Sequence, residues 1–255
     1  MKKEAGVYAR IVDAKKSKRP LLAVLIDPGK TPVQEIIRLA ILSKEFPVDF
    51  FFVGGSLADV EQLENCISAL NEIQTVPVVI FPGNEMQLDP AADALLLLSL
   101  ISGRNAELLI GKHVTAAQQL EASGLEIIPT GYMLIDSGRL TSVAYMSHTL
   151  PVPRDKNDIA ESTALAGQLL GMKLIYLEAG SGAELPVPPG MIKAVKNRID
   201  IPLIVGGGID SERKFKAALD AGADLIVIGN VLESRPEMLE IFSEVCRNYP
   251  KTLSS

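Results

Sequence analysis

Tryptophan is absent from this 255-residue sequence, and histidine and cysteine each occur only twice. A histidine-rich metal site or a Ser-His-Asp triad is therefore poorly supported. The two cysteines, Cys66 and Cys246, lie far apart, lack the spacing of metal ligands and fall in helical stretches. We interpret them as packing residues of a protein kept reduced, which predicts a cytoplasmic location.

Long hydrophobic runs and an excess of basic residues are also missing. The longest apolar run, Ala94–Leu98 with its neighbours, is too short to span a membrane, and no signal peptide is recognised. The formal charge is -6, because 31 acidic residues outnumber 25 basic ones. A broad nucleic-acid-binding surface is therefore not expected, although this balance allows a local phosphate or metal site.

Eight short apolar segments recur along the chain, and most are followed by a segment of helical periodicity. Unbroken apolar strands are typical of a parallel sheet that is buried on both faces. No linker divides the chain, so the sequence predicts one α/β domain over residues 1–255, a (β/α)8 TIM barrel. The predicted strands are Leu21–Ile26, Asp49–Val53, Val76–Phe81, Ala94–Ser99, Glu126–Met133, Lys173–Leu177, Pro202–Val205 and Leu225–Ile228.

The connections between these strands are regular except at two places. Only Asn84–Leu88 separates the third strand from the fourth, which is too short for an ordinary crossover helix. A long irregular insertion, Ile135–Lys156, follows the fifth strand, and connections of this length are uncommon unless functional. The predicted helices are Glu4–Lys16, Pro32–Lys44, Asp59–Ile73, Ala106–Ala122, Asp158–Leu170, Pro188–Arg198, Ser211–Ala221 and Ser234–Arg247.

Glycine turns end the last three predicted strands, at Gly180–Gly182, Gly206–Gly208 and Gly229-Asn230. Glycines at strand ends let bare backbone N–H groups approach an anion, and the loops after strands seven and eight often bind phosphate in such barrels. A single glycine pair would more often be only a tight turn. Three such turns on one face favour a phosphate monoester site.

Side chains at other strand ends could supply the chemistry. Asp27 and Ser56 follow adjacent strands and offer hard oxygen ligands suited to Mg²⁺. Each could instead cap the helix that follows it. Tyr176 and Glu178 alternate on strand six and therefore point to the same side, toward the interior. Glu178 is a candidate general base or hydroxyl anchor, or alternatively a structural ion-pair partner.

Apolar residues gather near the missing helix. They either belong to the core or line a groove for a long apolar substrate. The residues concerned are Phe81, Pro82, Met86, Leu97, Leu98 and Met133.

An ordered series of motifs resembles the geranylgeranylglyceryl phosphate synthase family, including the related bacterial heptaprenylglyceryl phosphate synthases. The YLEAGSG form and the longer chain resemble the second group of this family. The motifs are LIDPGK at 25–30, VGGS at 53–56, FPG at 81–83, SLISGRNAELLIGKHV at 99–114, PTGYMLID at 129–136, YLEAGSGA at 176–183, VGGGI at 205–209 and IGN at 228–230.

This resemblance implies a Mg²⁺-dependent prenyltransferase that joins a polyprenyl diphosphate to the 3-hydroxyl of sn-glycerol 1-phosphate. It implies Asp27 and Ser56 as metal ligands, Glu178 and Tyr176 as catalytic residues, and an apolar channel for the prenyl chain. It also implies a homo-oligomer and a transient membrane-surface contact. The implied glycerol phosphate ligands are Tyr176, Leu177, Glu178, Ala179, Gly180, Ser181, Gly182, Gly207, Gly208, Gly229 and Asn230.

One position departs from the first-group pattern, since Leu25 stands where that group has a lysine two residues before the aspartate. Backbone N–H groups are therefore expected to carry more of the phosphate binding. Two other functions fit the glycine turns alone: a sugar-phosphate isomerase or lyase, and a catalytically silent phosphate-binding protein. The first needs a strand-end lysine or paired acids, and only Lys30, beyond Pro28, comes near.

Overall fold

The computed structural model describes residues 6–73, 76–84 and 86–250 and shows eight parallel strands closed into a barrel. The strands pair in sequence order, and the last pairs with the first through Leu21↔Leu225 to Val24↔Ile228. The predicted TIM barrel is confirmed. The strands are β1 Leu21–Ile26, β2 Phe50–Val53, β3 Val78–Ile80, β4 Ala94–Leu100, β5 Glu126–Leu134, β6 Leu174–Glu178, β7 Leu203–Gly206 and β8 Leu225–Ile228.

The strands are mostly apolar because both of their faces are largely buried. On β2, for example, Phe50 and Phe52 point into the barrel, whereas Phe51 and Val53 pack against the helices. Alternate residues of each strand thus enter one of two layers, the barrel interior or the layer between strands and helices. Neither layer leaves room for a polar face.

Helices surround the barrel, and most bounds agree with the periodicity. The predicted start at Glu4 lies outside the described residues. The helices are α1 Val7–Lys16, α2 Val33–Glu45, α3 Val60–Ile73, α4 Lys112–Ser123, α5 Ser142–Ser147, α6 Asn157–Leu169, α7 Pro189–Arg198, α8 Glu212–Asp220, α9 Asn230–Ser234 and α10 Met238–Asn248.

Two predicted elements have wrong bounds. The closing helix, α10, begins at Met238 rather than Ser234; the short helix α9 precedes it, and Pro236 lies between the two and has no N–H to continue α9. The helix after β4 agrees with its predicted bounds within one residue, and its first turn, Glu107–Gly111, is π-helical. The third strand pairs only over Val78–Ile80, because Phe81 already begins the loop toward β4.

The missing helix after β3 is confirmed: residues 81–84 and 86–93 contain no helix. The insertion after β5 is partly ordered, since it contains α5 and a parallel bridge between Ile135 and Val152. Among the described residues, none of the helices combines the length and apolar character needed to cross a membrane.

The two cysteines lie in α3 and α10, and neither forms a disulfide. Burial raises the pKa of the Cys66 thiol to about 12, and burial is also the main cause that raises the pKa of Cys246 to about 12. A thiol with such a pKa is protonated and a poor nucleophile at neutral pH. Their interpretation as packing residues is confirmed.

Candidate active site

A cavity of about 1170 Å³ opens at the carboxyl ends of the strands. It is polar where it meets the loops after β1, β2, β6, β7 and β8, and mainly apolar beside β4, α4 and α5, although Lys112 and His113 of α4 also line it. Eleven of the thirteen predicted site residues line it. They are Asp27, Ser56, Tyr176, Glu178, Gly180, Ser181, Gly182, Gly207, Gly208, Gly229 and Asn230.

The remaining two, Leu177 and Ala179, lie outside the lining of the cavity. Their side chains pack in the layer between the strands and the helices, because they alternate with Tyr176 and Glu178 along β6. Only their backbone atoms could contact a ligand. The Ala179 N–H already donates to the Gly206 carbonyl, at 3.0 Å.

Glu178 is the buried carboxylate of the cavity, with 5% of its surface exposed. Its Oε1 accepts a hydrogen bond from the Gly180 N–H at 2.6 Å. Burial raises the pKa of the Glu178 carboxyl to about 7, although the Gly180 N–H and the nearby Tyr176 hydroxyl favour the charged form and oppose the shift. A carboxylate with this pKa is suited to accept a proton near neutral pH.

Three aromatic rings that line the cavity pack against one another. The ring centroids of Phe81, Tyr132 and Tyr176 lie 5.4 to 5.9 Å from one another. The buried Tyr176 hydroxyl lies near enough to Glu178 to influence its pKa, but it makes no hydrogen bond of standard geometry with the described residues. Burial, with the nearby charge of Glu178, raises the pKa of both tyrosines well above the usual value, so both hydroxyls stay protonated.

Tyr132 was not among the predicted site residues, although a signal for it existed. It lies on a predicted strand, two residues from Thr130 and two from Leu134, and all three therefore point to the same side, into the barrel. Alternation along the strand would have placed its ring inside.

The glycine loops present unused donors to the polar part of the cavity. In the described part of the chain, the N–H groups of Ser181, Gly182, Gly207 and Gly208 donate no hydrogen bond. Gly207 has φ +83, and a Cβ there would overlap with Glu178 Oε1, so glycine is required. The Ser181 hydroxyl donates to Asn230 Oδ1 at 3.1 Å and joins two of the loops. Convergent free N–H groups of this kind suit a phosphate.

Asp27 and Ser56 line the polar part of the cavity at the ends of the neighbouring strands β1 and β2. Asp27 Oδ1 accepts the Gly29 N–H at 3.1 Å, and Oδ2 lies 2.7 Å from Lys30 Nζ. The carboxylate lies so close to the backbone of Gly55, next to Ser56, that a Cβ on Gly55 would overlap with it. Asp27 therefore caps its own turn and also faces the cavity.

Ser56 does not cap the following helix. Asp59 and Gln62 cap the N-terminus of that helix through two reciprocal hydrogen bonds. Asp59 Oδ1 accepts the Gln62 N–H at 2.8 Å, and Gln62 Oε1 accepts the Asp59 N–H at 3.1 Å. The alternative interpretation of Ser56 as a helix cap is therefore wrong.

Few side chains at this edge offer oxygen atoms that could bind a metal ion. The described residues contain no group of three or more His, Cys, Asp or Glu side chains that could hold a metal ion. One carboxylate and one hydroxyl suit a cation that keeps waters and shares substrate phosphates, as Mg²⁺ does, rather than a dedicated protein cage.

The apolar part of the cavity crosses the barrel wall. Leu98 and Leu100 of β4 belong to the interior, whereas Leu95 and Leu97 belong to its outer face, and all four line the cavity. The outer face of β4 is open because no helix follows β3. The other apolar lining residues include Leu108, Ala116, Leu120, Val143, Tyr145 and Met146.

The predicted groove is thus confirmed in part. Phe81, Pro82, Leu97 and Leu98 line it. The prediction that Met86 and Met133 line the groove was wrong. Met86 is largely exposed outside the lining, and Met133 is buried in the layer against the helices.

The PcrB family model matches residues 13–246. The chain belongs to the PcrB family. The match covers all eight strands, and therefore every loop that lines the cavity of this PcrB-family chain.

Curated relatives agree with the family assignment. The chain is 49% identical over 241 residues to the geranylgeranylglyceryl phosphate synthase of Spirosoma linguale, covering 94% of this chain and 97% of the relative. The enzyme of the same name from Chitinophaga pinensis is 46% identical over 234 residues, covering 92% and 93%. These relatives are prenyltransferases.

A solved structure agrees in fold. The (S)-3-O-geranylgeranylglyceryl phosphate synthase of Thermoplasma acidophilum, solved with its substrate sn-glycerol-1-phosphate, superposes with a TM-score of 0.89 at 36% identity. The alignment covers 94% of this chain and 98% of that one.

Proposed function

We propose that this PcrB-family chain is a geranylgeranylglyceryl phosphate synthase, which transfers a prenyl group from its diphosphate to the 3-hydroxyl of sn-glycerol 1-phosphate. One observation carries the proposal: a buried carboxylate, Glu178, lies in a cavity with a donor-lined polar end and an apolar extension through the barrel wall. A small phosphate and a long hydrocarbon chain fit these two ends.

The donor-lined glycine loops would hold the phosphate of glycerol phosphate. The unused N–H groups of Ser181, Gly182, Gly207 and Gly208 supply hydrogen bonds without a lysine at position 25. Fixing the phosphate there brings the far hydroxyl of the substrate toward Glu178, which restricts its motion before reaction. The Glu178 carboxylate accepts the hydrogen bond of that hydroxyl.

The transfer step exchanges one C–O bond for another. The bond between prenyl C1 and the diphosphate breaks, and its electron pair leaves with the diphosphate. The 3-hydroxyl oxygen of glycerol phosphate bonds to C1, and its proton moves to Glu178. The rings of Phe81, Tyr132 and Tyr176 exclude water from this point.

Asp27 and Ser56 would hold Mg²⁺ together with oxygens of the diphosphate. A bound Mg²⁺ would neutralise the diphosphate and make it a better leaving group. Lys30, which contacts Asp27, adds a positive charge at the same edge.

The decisive test is product formation. The protein would be incubated with Mg²⁺, labelled sn-glycerol 1-phosphate and prenyl diphosphates of several lengths, and label entering an organic phase would be counted. The sn-glycerol 3-phosphate enantiomer is the control. The absence of product with every chain length would contradict the proposal and favour an isomerase, a lyase or a silent phosphate-binding protein.

The phosphate assignment predicts an effect at Gly182 that a matched glycine lacks. Gly182 has φ +71 and Gly124 has φ +72, and a Cβ at either would meet no atom within 4 Å. Both replacements by alanine should therefore cost about 1 kcal/mol of unfolding free energy, because both force alanine into the left-handed region. Only Gly182→Ala should weaken glycerol phosphate binding, by about tenfold: the 182 N–H is kept, but the added methyl group limits the close approach of the phosphate to it, and weakening one hydrogen bond to a charged group costs ~1.5–3 kcal/mol.

Calorimetric titration with glycerol phosphate, alongside thermal unfolding of both variants, separates the two effects. Equal affinity in Gly182→Ala and Gly124→Ala would place the phosphate elsewhere.

The apolar extension predicts a change in chain-length preference. Ala116 lines it from α4, whereas the next residue, Ala117, is exposed outside it. Ala116→Trp should obstruct the channel and lower activity with geranylgeranyl diphosphate more than with the shorter geranyl diphosphate. The same substitution at Ala117 should leave both rates near wild type. An unchanged ratio of the two rates in Ala116→Trp would exclude this route for the prenyl chain.

A homo-oligomer, a cytoplasmic location and a transient membrane contact stay predictions. The product assay reports which prenyl chain length the protein prefers.

A further inference from the structure

Gln87 is a buried polar residue that the proposed reaction does not use. It lies in the loop that replaces the helix after β3, and only 1% of its surface is exposed. Burying a side-chain amide is unfavourable unless its hydrogen bonds are made. Its partners therefore indicate what the residue does.

The amide group joins two loops of the cavity. Its Nε2 donates to the carbonyl oxygens of Gly55 and Ala58, both at 2.8 Å. Its Oε1 accepts the Gly83 N–H at 2.8 Å. Both amide hydrogens and one acceptor position are used, so the side chain has a single orientation.

The two loops also touch through their backbones. A Cβ on Gly83 would overlap with the Gly55 carbonyl, so the loop after β3 lies directly against the loop after β2. On its other side, Gly55 lies against the Asp27 carboxylate. The turn that carries Ser56 is thus enclosed between Asp27 and the segment that Gln87 holds.

We propose that Gln87 is a positioning residue that fixes Ser56 beside Asp27, and that this is a specific role of the short loop after β3. The inference rests on the proposed function, because it assigns Asp27 and Ser56 to the cation and diphosphate end of the cavity. The hydrogen bonds that Gln87 makes with other described residues all go to the loops after β2 and β3, so its effect is expected at that end of the cavity.

The test compares Gln87→Met with a control that anchors the same loop at another point. Methionine is similar in size but makes none of the three hydrogen bonds. Asn71 of α3 donates to the Ala91 carbonyl of this loop at 2.9 Å, and it does not line the cavity. Asn71→Ala therefore removes a comparable connection away from the site.

Two binding measurements give readouts besides activity. Binding of Mn²⁺ in the presence of inorganic diphosphate would be followed by electron paramagnetic resonance, and binding of sn-glycerol 1-phosphate by calorimetry. Gln87→Met should weaken Mn²⁺ binding by about tenfold, as expected when a supporting partner of metal ligands is lost. Glycerol phosphate affinity should stay within about twofold, and Asn71→Ala should change neither.

Activity provides the third arm. In Gln87→Met, kcat at saturating glycerol phosphate should fall, and the Mg²⁺ concentration for half-maximal rate should rise. Wild-type Mn²⁺ binding and kcat in the folded variant, or an equal loss of both ligands, would overturn the inference. Should Gln87→Met fail to fold, Gln87→Glu keeps the acceptor for Gly83 and loses only the donors to Gly55 and Ala58, with the same expectations.

The outcomes separate the two proposals. If wild-type protein forms no product but binds Mn²⁺ with diphosphate in a Gln87-dependent way, the proposed function fails and the positioning role survives. If wild-type protein forms product and Gln87→Met matches it in every measurement, the positioning role fails alone.

Discussion

Glu178→Gln is expected to lower kcat by a factor of about a hundred to ten thousand, the usual cost of losing one positioned general base. Glutamine keeps the shape of the side chain, and its carbonyl oxygen can still accept the Gly180 N–H, which contacts Glu178 at 2.6 Å. It cannot take the proton of the attacking hydroxyl. Steady-state kinetics should therefore show a large fall in kcat with a much smaller change in the KM for glycerol phosphate.

The pH dependence of the wild-type rate should reveal the ionisation of the same carboxyl group. Because burial raises the pKa of the Glu178 carboxyl to about 7, the reactive carboxylate form is lost as the pH falls through 7. The rate should decline on the acidic side, and this step should be absent from the residual activity of Glu178→Gln. A variant with near wild-type turnover would leave Glu178 only a binding role.

Stability should change in the opposite direction to activity. The carboxyl has a pKa of about 7 when folded and an ordinary pKa of 4.5, so the folded state binds the proton more tightly. The unfolding free energy is therefore highest below pH 4.5 for this group and falls, by on the order of 3 kcal/mol, as the pH rises through 7. At pH 8, Glu178→Gln should consequently raise the melting temperature, because it removes a charge that is unfavourable when buried.

The barrel could be predicted from the sequence because each strand is buried on both faces. Runs such as Leu21–Ile26 are apolar without alternation, and only a parallel sheet covered by helices makes this pattern favourable. The positions of Tyr176 and Glu178 followed from alternation along one strand, and both line the cavity. Patterns within a single strand were therefore sufficient wherever the position of a residue on that strand determines which way its side chain points.

Features that join distant segments could not be predicted in this way. Gln87 bonds to Gly55 and Ala58, which lie 32 and 29 residues earlier, and no local pattern selects those carbonyls. The route of the apolar channel past Leu95 and Leu97 depends on which outer face of the barrel remains uncovered. Met133 is different: the same alternation along β5 that places Tyr132 inside the barrel would have placed Met133 in the outer layer, so this error was avoidable.

Asp27 has two roles, one in the turn after β1 and one in the cavity, and a single substitution would not distinguish them. Its Oδ1 accepts the Gly29 N–H and so stabilises the turn after β1, whereas its Oδ2 contacts Lys30 and its carboxylate faces the cavity. Asparagine preserves the turn, because an amide oxygen can accept the same N–H. Alanine removes both the turn contact and the charge. The pair of variants therefore separates capping from catalysis.

Asp27→Asn is expected to fold with nearly wild-type stability and to lose a hundredfold or more in kcat, because electrostatic stabilisation by a bound metal is worth several kcal/mol and each ~1.4 kcal/mol is a factor of ten. Asp27→Ala should lose the same activity and, in addition, about 1 kcal/mol of unfolding free energy for the missing cap. Rates across a Mg²⁺ titration, with thermal unfolding of both variants, provide the measurement. An Asp27→Asn protein that keeps its rate and its Mg²⁺ dependence would show that Asp27 is only a cap, and the cation would then have to be held by the diphosphate and Ser56 alone.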